Sequence, residues 1–399
     1  FGVDLVNGKR IWSFPWDTPQ IDNTAFVSHP YSQQPQNPVD SFLQQRMWQD
    51  GVHGQLSSSD SLAFVLQDIK PLGSLVEQGA QFNLLRRGLV PVPDTLKESA
   101  NQLVALALAA EGKLQWIVGG KDGESDRLTN AFFMGAPLPL GGELYVLAEL
   151  QDEIRLCVLD DQSGQLLWSQ QIAQVESPFA WYLDAVRRLC GCSPSFADGI
   201  MVCPTSSGLV VAIDVDSRAL LWAYEYRRDA VSSAGTHRIS NFRTSTPSMP
   251  ELGDRWSDNS VLISAGSVLM TPTDSNWLHC VDLLSGAKKW TKKRSEYLYV
   301  AGVYQDTVVL VGDRKVQGIS LATGQAVWAS PLKIPDEAMP SGHGFLTEQV
   351  LHLPTTAAEL LRIDVTNGTL IERIPTEEIL GNLICQGDYV ISQSATGMK

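Results

Sequence analysis

Residues 282–290 read DLLSGAKKW, and the same spelling returns along the chain. Residues 160–168 read DDQSGQLLW, 320–328 read SLATGQAVW and 4–12 read DLVNGKRIW. Residues 214–222 read DVDSRALLW, with Arg218 in the glycine place. Residues 364–372 read DVTNGTLIE, with Glu372 in the tryptophan place. A looser copy, ALALAAEGKLQW, ends at Trp116 and lacks the aspartate. The seven copies account for six of the eleven tryptophans, Trp12, Trp116, Trp168, Trp222, Trp290 and Trp328.

Each part of the motif has a physical task. An alternating apolar run precedes the aspartate, as in GLVVAID (208–214) and NWLHCVD (276–282), and alternation with period two marks a half-buried strand. The aspartate can accept hydrogen bonds from the amides of the turn that follows. The glycine supplies the positive φ of a tight hairpin. This applies to Gly8, Gly112, Gly164, Gly286, Gly324 and Gly368, whereas Arg218 must bend by another turn or accept strain. A second strand follows and ends on the tryptophan, a large apolar plug. The motif therefore predicts strand, tight turn, strand.

The motif glycine position falls at 8, 112, 164, 218, 286, 324 and 368, with gaps of 104, 52, 54, 68, 38 and 44. All-strand repeats of about 40–50 residues are propeller blades. A second strand pair precedes most copies, at 196–208, 256–272, 299–313 and 343–354, which completes a four-stranded blade. Residues 378–394 read as the first two strands of a blade and residues 1–14 as the last two. Pairing of the two ends would close the ring and remove exposed edges. The expected fold is all-β: one β-propeller domain over residues 1–399, with seven four-stranded blades, or eight if the long first gap holds another. Stretches at about 17–50, 70–100, 179–194 and 227–255 break the pattern and read as insertions, which often carry function. The ends are also those expected of a piece cut from a longer protein.

Composition narrows the function classes. Lys plus Arg number 30 and Asp plus Glu 44, a net charge of −14 over 399 residues. Nucleic acid and anionic membrane surfaces need clustered Lys and Arg, so neither is an expected partner. No uninterrupted apolar run reaches the roughly 18 residues of a membrane span. The chain begins at Phe1 with no visible signal peptide. The six cysteines contain no Cys-x-x-Cys pair, which argues against zinc ribbons and thioredoxin-like chemistry. Cys157, Cys203 and Cys280 lie in strand-like runs as buried thiols. Cys190-Gly191-Cys192 is the one close pair and reads as structural thiols rather than a redox or metal pair, since two ligands do not make a metal site.

The D-x-x-[S/T/N]-G-x-x-x-W hairpin resembles the repeat of the PQQ-like, quinoprotein-type propeller family, through seven copies that span nearly the whole chain. The family includes quinoprotein alcohol dehydrogenases and the non-enzymatic lipoprotein propeller of the outer-membrane-protein assembly machine. Residues 192–226 are also similar to uncharacterised planctomycete PQQ-like repeat proteins. The resemblance implies that the six motif tryptophans pack between neighbouring blades, and that the protein resides in the periplasm or cell envelope. The dehydrogenase branch implies an adjacent Cys-Cys disulfide, a calcium site of carboxylates and an Asn amide, and an Asp base. This chain has no Cys-Cys, and no acidic cluster has a calcium-loop geometry.

No Gly-x-Ser-x-Gly elbow, His-Glu-x-x-His pair or P-loop is present. We therefore expect no catalytic residues, no metal site and neither PQQ nor calcium. The preferred reading is a scaffold or protein-interaction module that contacts a protein or a glycan through propeller faces and insertions. The alternatives are a PQQ- and calcium-dependent dehydrogenase, or a propeller that binds or processes polysaccharide. His53 and His343 both precede a glycine at the start of a first strand, where they could face a central channel; the plainer reading is two turn histidines. Contact candidates from the insertions are Trp48, Trp181, Arg187, Arg188 and Arg243, although the tryptophans could equally pin their insertions to the ring.

Overall fold

The computed structural model describes residues 2–4, 9–13, 50–52, 54–68, 101–120, 126–175, 184–229 and 254–393. The fold class is the expected one, an all-β arrangement of antiparallel propeller blades. Strands β1 (Gly2–Val3) and β2 (Arg10–Trp12) form a hairpin. Strands β3 (Leu56–Ser58), β4 (Leu62–Asp68), β5 (Asn101–Ala107) and β6 (Lys113–Val118) make a four-stranded sheet in chain order. In the next sheet β7 (Phe132–Phe133) and β8 (Leu138–Leu140) both pair with β9 (Glu143–Leu150), followed by β10 (Glu153–Asp160) and β11 (Leu166–Gln174).

Four more four-stranded sheets follow, again in chain order. One holds β12 (Ser195–Ala197), β13 (Ile200–Pro204), β14 (Leu209–Asp214) and β15 (Ala219–Glu225). Another holds β16 (Val261–Ser264), β17 (Ser267–Met270), β18 (Trp277–Asp282) and β19 (Lys288–Lys293). The third holds β20 (Tyr297–Tyr304), β21 (Thr307–Gly312), β22 (Lys315–Ser320) and β23 (Leu332–Lys333). The fourth holds β24 (Phe345–Thr347), β25 (Val350–Thr355), β26 (Glu359–Asp364) and β27 (Thr369–Pro375). A last hairpin joins β28 (Asn382–Gln386) to β29 (Tyr389–Gln393).

The chain divides into two compact units. One comprises Phe1–Pro194, Cys203–Leu209 and Ala230–Met249, the other Ser195–Val202, Val210–Asp229 and Pro250–Lys399. Among the described residues, the long gap before Gly112 contributes three strands, β3–β5, of one four-stranded sheet, with residues 69–100 falling between β4 and β5 in the chain. The expected closure through a shared terminal blade does not occur as strand pairing among the described residues. The β1–β2 and β28–β29 hairpins stand as separate two-stranded sheets. Strand β1 has two residues and a register shift.

The motif hairpins form as their residues dictate. The amides of Gly164, Gly286, Gly324 and Gly368 donate to the carbonyls of Asp160, Asp282, Ser320 and Asp364, at 2.8–2.9 Å. The aspartate carboxylates cap these turns. Asp160 Oδ1 accepts from the Ser163 amide and hydroxyl, and Asp282 Oδ1 does the same with Ser285. Where Ser320 replaces the aspartate, a neighbouring hairpin supplies the carboxylate: Asp306 accepts from Ser320 Oγ at 2.8 Å and from the Ala322 amide at 3.1 Å. Arg218 occupies the left-handed region with φ 57°, so this copy keeps a positive φ without glycine.

The tryptophans join consecutive sheets through one repeated hydrogen bond. The indole Nε1 of Trp116, Trp222, Trp290 and Trp328 donates to the carbonyl of Asp161, Leu283, Leu321 and Val365, at 2.8–3.0 Å. Each acceptor lies three residues before the next motif glycine. The indole then covers that glycine. A Cβ at Gly164, Gly286 or Gly324 would stand 2.8, 2.6 or 2.7 Å from the ring of Trp116, Trp222 or Trp290. In the last copy Glu372 has no indole to offer and accepts from Arg362 Nη1 instead.

Two departures from the simple hairpin have local causes. The middle strands are buried on both faces rather than one. Val268 and Met270 of β17 pack with β12–β15, while Leu269 packs with Val308 and Leu310 of β21. A sheet stacked between two others needs apolar residues on both sides. In the copy ending at Trp328 the fourth strand is broken and resumes as β23 after Pro331, since proline has no amide to give the ladder.

Candidate functional site

A cluster of described polar groups lies where β16, β20, β24 and β28 begin. His343 precedes β24. Its backbone amide donates to Asn382 Oδ1 at 2.8 Å, and its carbonyl accepts from the Leu383 amide at 2.8 Å. The imidazole lies against the Tyr299 ring with centroids 4.1 Å apart. The Tyr299 hydroxyl accepts from the Gly344 amide at 3.2 Å and lies 3.4 Å from the Gly342 carbonyl. Burial pushes the Tyr299 phenol well above its ordinary range, so this hydroxyl stays protonated. Ser257 Oγ lies 3.4 Å and Asp258 Oδ2 3.9 Å from His343 Nε2. The Asp258 carboxylate also accepts from Thr271 Oγ1 at 3.3 Å. The result is an aromatic pair, about a third of the imidazole exposed, with a carboxylate at its edge.

Of the sequence-derived candidates, His343 is the one this cluster contains. Gly8, Trp48, His53, Trp181 and Arg243 lie outside the described residues. Arg187 and Arg188 sit on α1 (Ala185–Leu189), whose N-terminus is capped by Asp184 Oδ1 accepting from the Val186 and Arg187 amides. Arg187 is fully buried. Its Nε donates to Glu149 Oε2 at 3.1 Å, and its Nη2 pairs with Glu149 Oε1. Burial pushes the Glu149 carboxyl up while Arg187 opposes the shift. Arg187 therefore fastens the insertion to β9. Arg188 is half-buried.

Sequence reasoning did not single out Asp258, Tyr299 or Asn382. They come from three different blades and share no spacing, so only strand packing brings them together. It also did not single out the buried Asp274. Asp274 accepts from Tyr226 Oη at 3.0 Å and from Arg228 Nε at 2.7 Å, and its burial pushes the carboxyl up. Beside it His279 is a satisfied core histidine, with Nδ1 3.0 Å from Tyr224 Oη and Nε2 3.4 Å from Ser275 Oγ. Burial holds its imidazole down at about 4.

Cys157, Cys203 and Cys280 are buried thiols, with burial pushing Cys157 up to about 12 and Cys280 up to about 11. Among the described residues no three His, Cys, Asp or Glu side chains are grouped to hold a metal ion. No described helix is long and apolar enough to cross a membrane.

The profile of a protein family described as outer membrane protein assembly factor BamB matches residues 99–251 and 251–382. No curated protein sequence matches the chain. Similar solved structures include BamB from Moraxella catarrhalis, 17% identical over 74% of this chain and 77% of that one, with a TM-score of 0.47. A europium-containing methanol dehydrogenase is 12% identical over 88% of this chain and 74% of that one, with a TM-score of 0.46. The computationally designed protein Ika8 is 12% identical over 88% of this chain and 96% of that one, with a TM-score of 0.39.

Proposed function

Since the chain belongs to the family of outer membrane protein assembly factor BamB, we propose that it is a non-catalytic interaction module of the cell envelope that docks a protein partner around His343. The wiring of His343 carries this reading. Among the described residues, Ser257 Oγ and Asp258 Oδ2 both approach the same ring nitrogen, Nε2. A histidine base activates a nucleophile through one nitrogen and is oriented by a carboxylate through the other. Here the ring is steadied by packing at a 31° tilt on Tyr299 instead. A fixed aromatic surface with an adjacent carboxylate suits recognition, because aromatic side chains supply rigid contact area and anchor interfaces. A protein segment with a cationic or aromatic residue is the complementary ligand, and the charge of −14 disfavours a polyanion. The same reading needs neither quinone nor calcium.

Photo-crosslinking tests the proposal. A photoreactive phenylalanine analogue in place of His343 is expected to give one discrete protein adduct in cells. H343A is expected to release that partner from the purified complex without lowering the melting temperature. Stoichiometric uptake of pyrroloquinoline quinone with calcium, together with dye-linked turnover of an alcohol, would overturn the reading.

A further inference from the structure

We propose that Cys190 and Cys192 are a redox-active pair that closes to a disulfide by exchange with an external disulfide. Their Sγ atoms lie 3.9 Å apart, in van der Waals contact, and share the Ser206 hydroxyl at 2.6 and 2.7 Å. The backbone between them is held from both sides. Gly191 has φ 66°, and a Cβ there would collide with the Gly51 backbone. The Gly51 amide donates to the Leu189 carbonyl at 2.7 Å. On the other side the Cys192 amide donates to the Met134 carbonyl at 2.7 Å, where the break between β7 and β8 leaves room for it. Gly135 packs so closely on the Cys192 backbone that a Cβ would stand 2.6 Å from its carbonyl oxygen. Two thiols fixed side by side have already lost the freedom that opposes their joining.

The chemistry balances without a metal or another protein group. Both cysteines are buried, Cys190 at 3% and Cys192 at 0% exposure, and we assign the first attack to the less buried Cys190. Its thiolate displaces one thiolate from an external disulfide and forms a mixed disulfide. The Cys192 thiolate then attacks Cys190 Sγ and expels the second. Two thiols are oxidised, one external disulfide is reduced to two thiols, and both protons leave with those products. The sulfurs must close from 3.9 Å to the bonded distance of about 2.05 Å. A link between positions two residues apart encloses almost no chain, so it removes little unfolded-state entropy. The bond is therefore a redox-responsive element rather than a staple.

Peptide mass analysis of the folded full chain tests this. The protein is equilibrated in glutathione buffers from fully reduced to fully oxidised, quenched in acid, alkylated and digested with trypsin. The peptide Leu189–Arg218 carries Cys190, Cys192 and Cys203. In oxidising buffer it is expected to gain one alkyl group, on Cys203, and to lose two hydrogens between Cys190 and Cys192. C192S is expected to trap glutathione on Cys190. Three alkyl groups at every buffer ratio, a link to Cys203, or a stoichiometric metal on both thiols would each overturn the proposal. None of these outcomes touches the docking reading at His343.

Discussion

Gly324 illustrates how much one motif position is asked to do. Its φ of 69° demands a left-handed turn, and the Trp290 ring lies directly on its Cα face. The turn alone could tolerate a side chain, since Arg218 adopts φ 57°. Replacement of Gly324 by alanine adds both a left-handed strain and an overlap, and is expected to cost about 2 kcal/mol or more in chemical denaturation. R218G should be neutral or stabilise by up to about 1 kcal/mol, because it relieves left-handed strain while loosening the unfolded chain.

The motif aspartates carry a pH signature at the same scale. Hydrogen bonds from Ser163, Ser285 and Thr366 hold Asp160, Asp282 and Asp364 below the ordinary carboxylate range. Each such group adds stability above about pH 4, where the unfolded carboxyl is ionised, and loses it as the pH falls through the native value. The D160N/D282N/D364N variant should therefore show a flatter fall of melting temperature below pH 4. His279 acts in a higher window. Burial holds it at about 4, below the roughly 6.5 of an unfolded histidine. The unfolded chain takes up that proton first, so stability should fall between about pH 6.5 and 4 by up to roughly 3 kcal/mol. Asp274, pushed up in the same cluster, works in the opposite direction. H279Q isolates the histidine contribution as a flatter melting profile across that window.

At the scale of the element, the recurring device is a β-bulge beside the motif tryptophan. Val158 pairs with Trp168 and Leu159 with Leu166, so Leu167 is the extra residue. Lys289, Gln115 and Ile371 occupy the same place in their own hairpins. A bulge bends its strand and disrupts the outer edge, which discourages edge-to-edge association. Leu167 is 46% exposed, so L167T should change stability by no more than about 0.5 kcal/mol. Deletion of Leu167 should instead unfold its blade, since a one-residue slip sends every following side chain to the opposite face. Circular dichroism melts of the two variants separate register from hydrophobicity. The hairpins themselves were legible in the sequence because the glycine and aspartate act over four residues. The bulges were hidden because they are defined by pairing between strands.

For the whole molecule, repetition replaces a single central core. Apolar clusters lie between consecutive sheets, as with Val309, Val311, Leu351 and Leu361 between β20–β23 and β24–β27. Burial of that kind is governed by neighbouring sheets, so it follows the spacing of the motif hairpins along the chain. The charge of −14 is a property of the same scale. Self-repulsion of that charge should lower stability in dilute buffer. The melting temperature is expected to rise between about 0.01 and 0.15 M salt, as the Debye length shrinks from roughly 30 to 8 Å.

The sequence by itself determined the blade hairpins, the recurring tryptophan position and the all-β class, because those features rest on turn stereochemistry and on strand periodicity within a few residues. It also placed the Cys190-Gly191-Cys192 pair, whose partners are neighbours in the chain. Tertiary structure alone decided that Asp306 substitutes for a motif aspartate, that Arg187 is spent on Glu149, and that His343 meets Tyr299, Asp258 and Asn382. Those contacts join residues separated by tens of positions. They depend on how one sheet packs on the next, a distance relation that no local pattern of amino acids encodes.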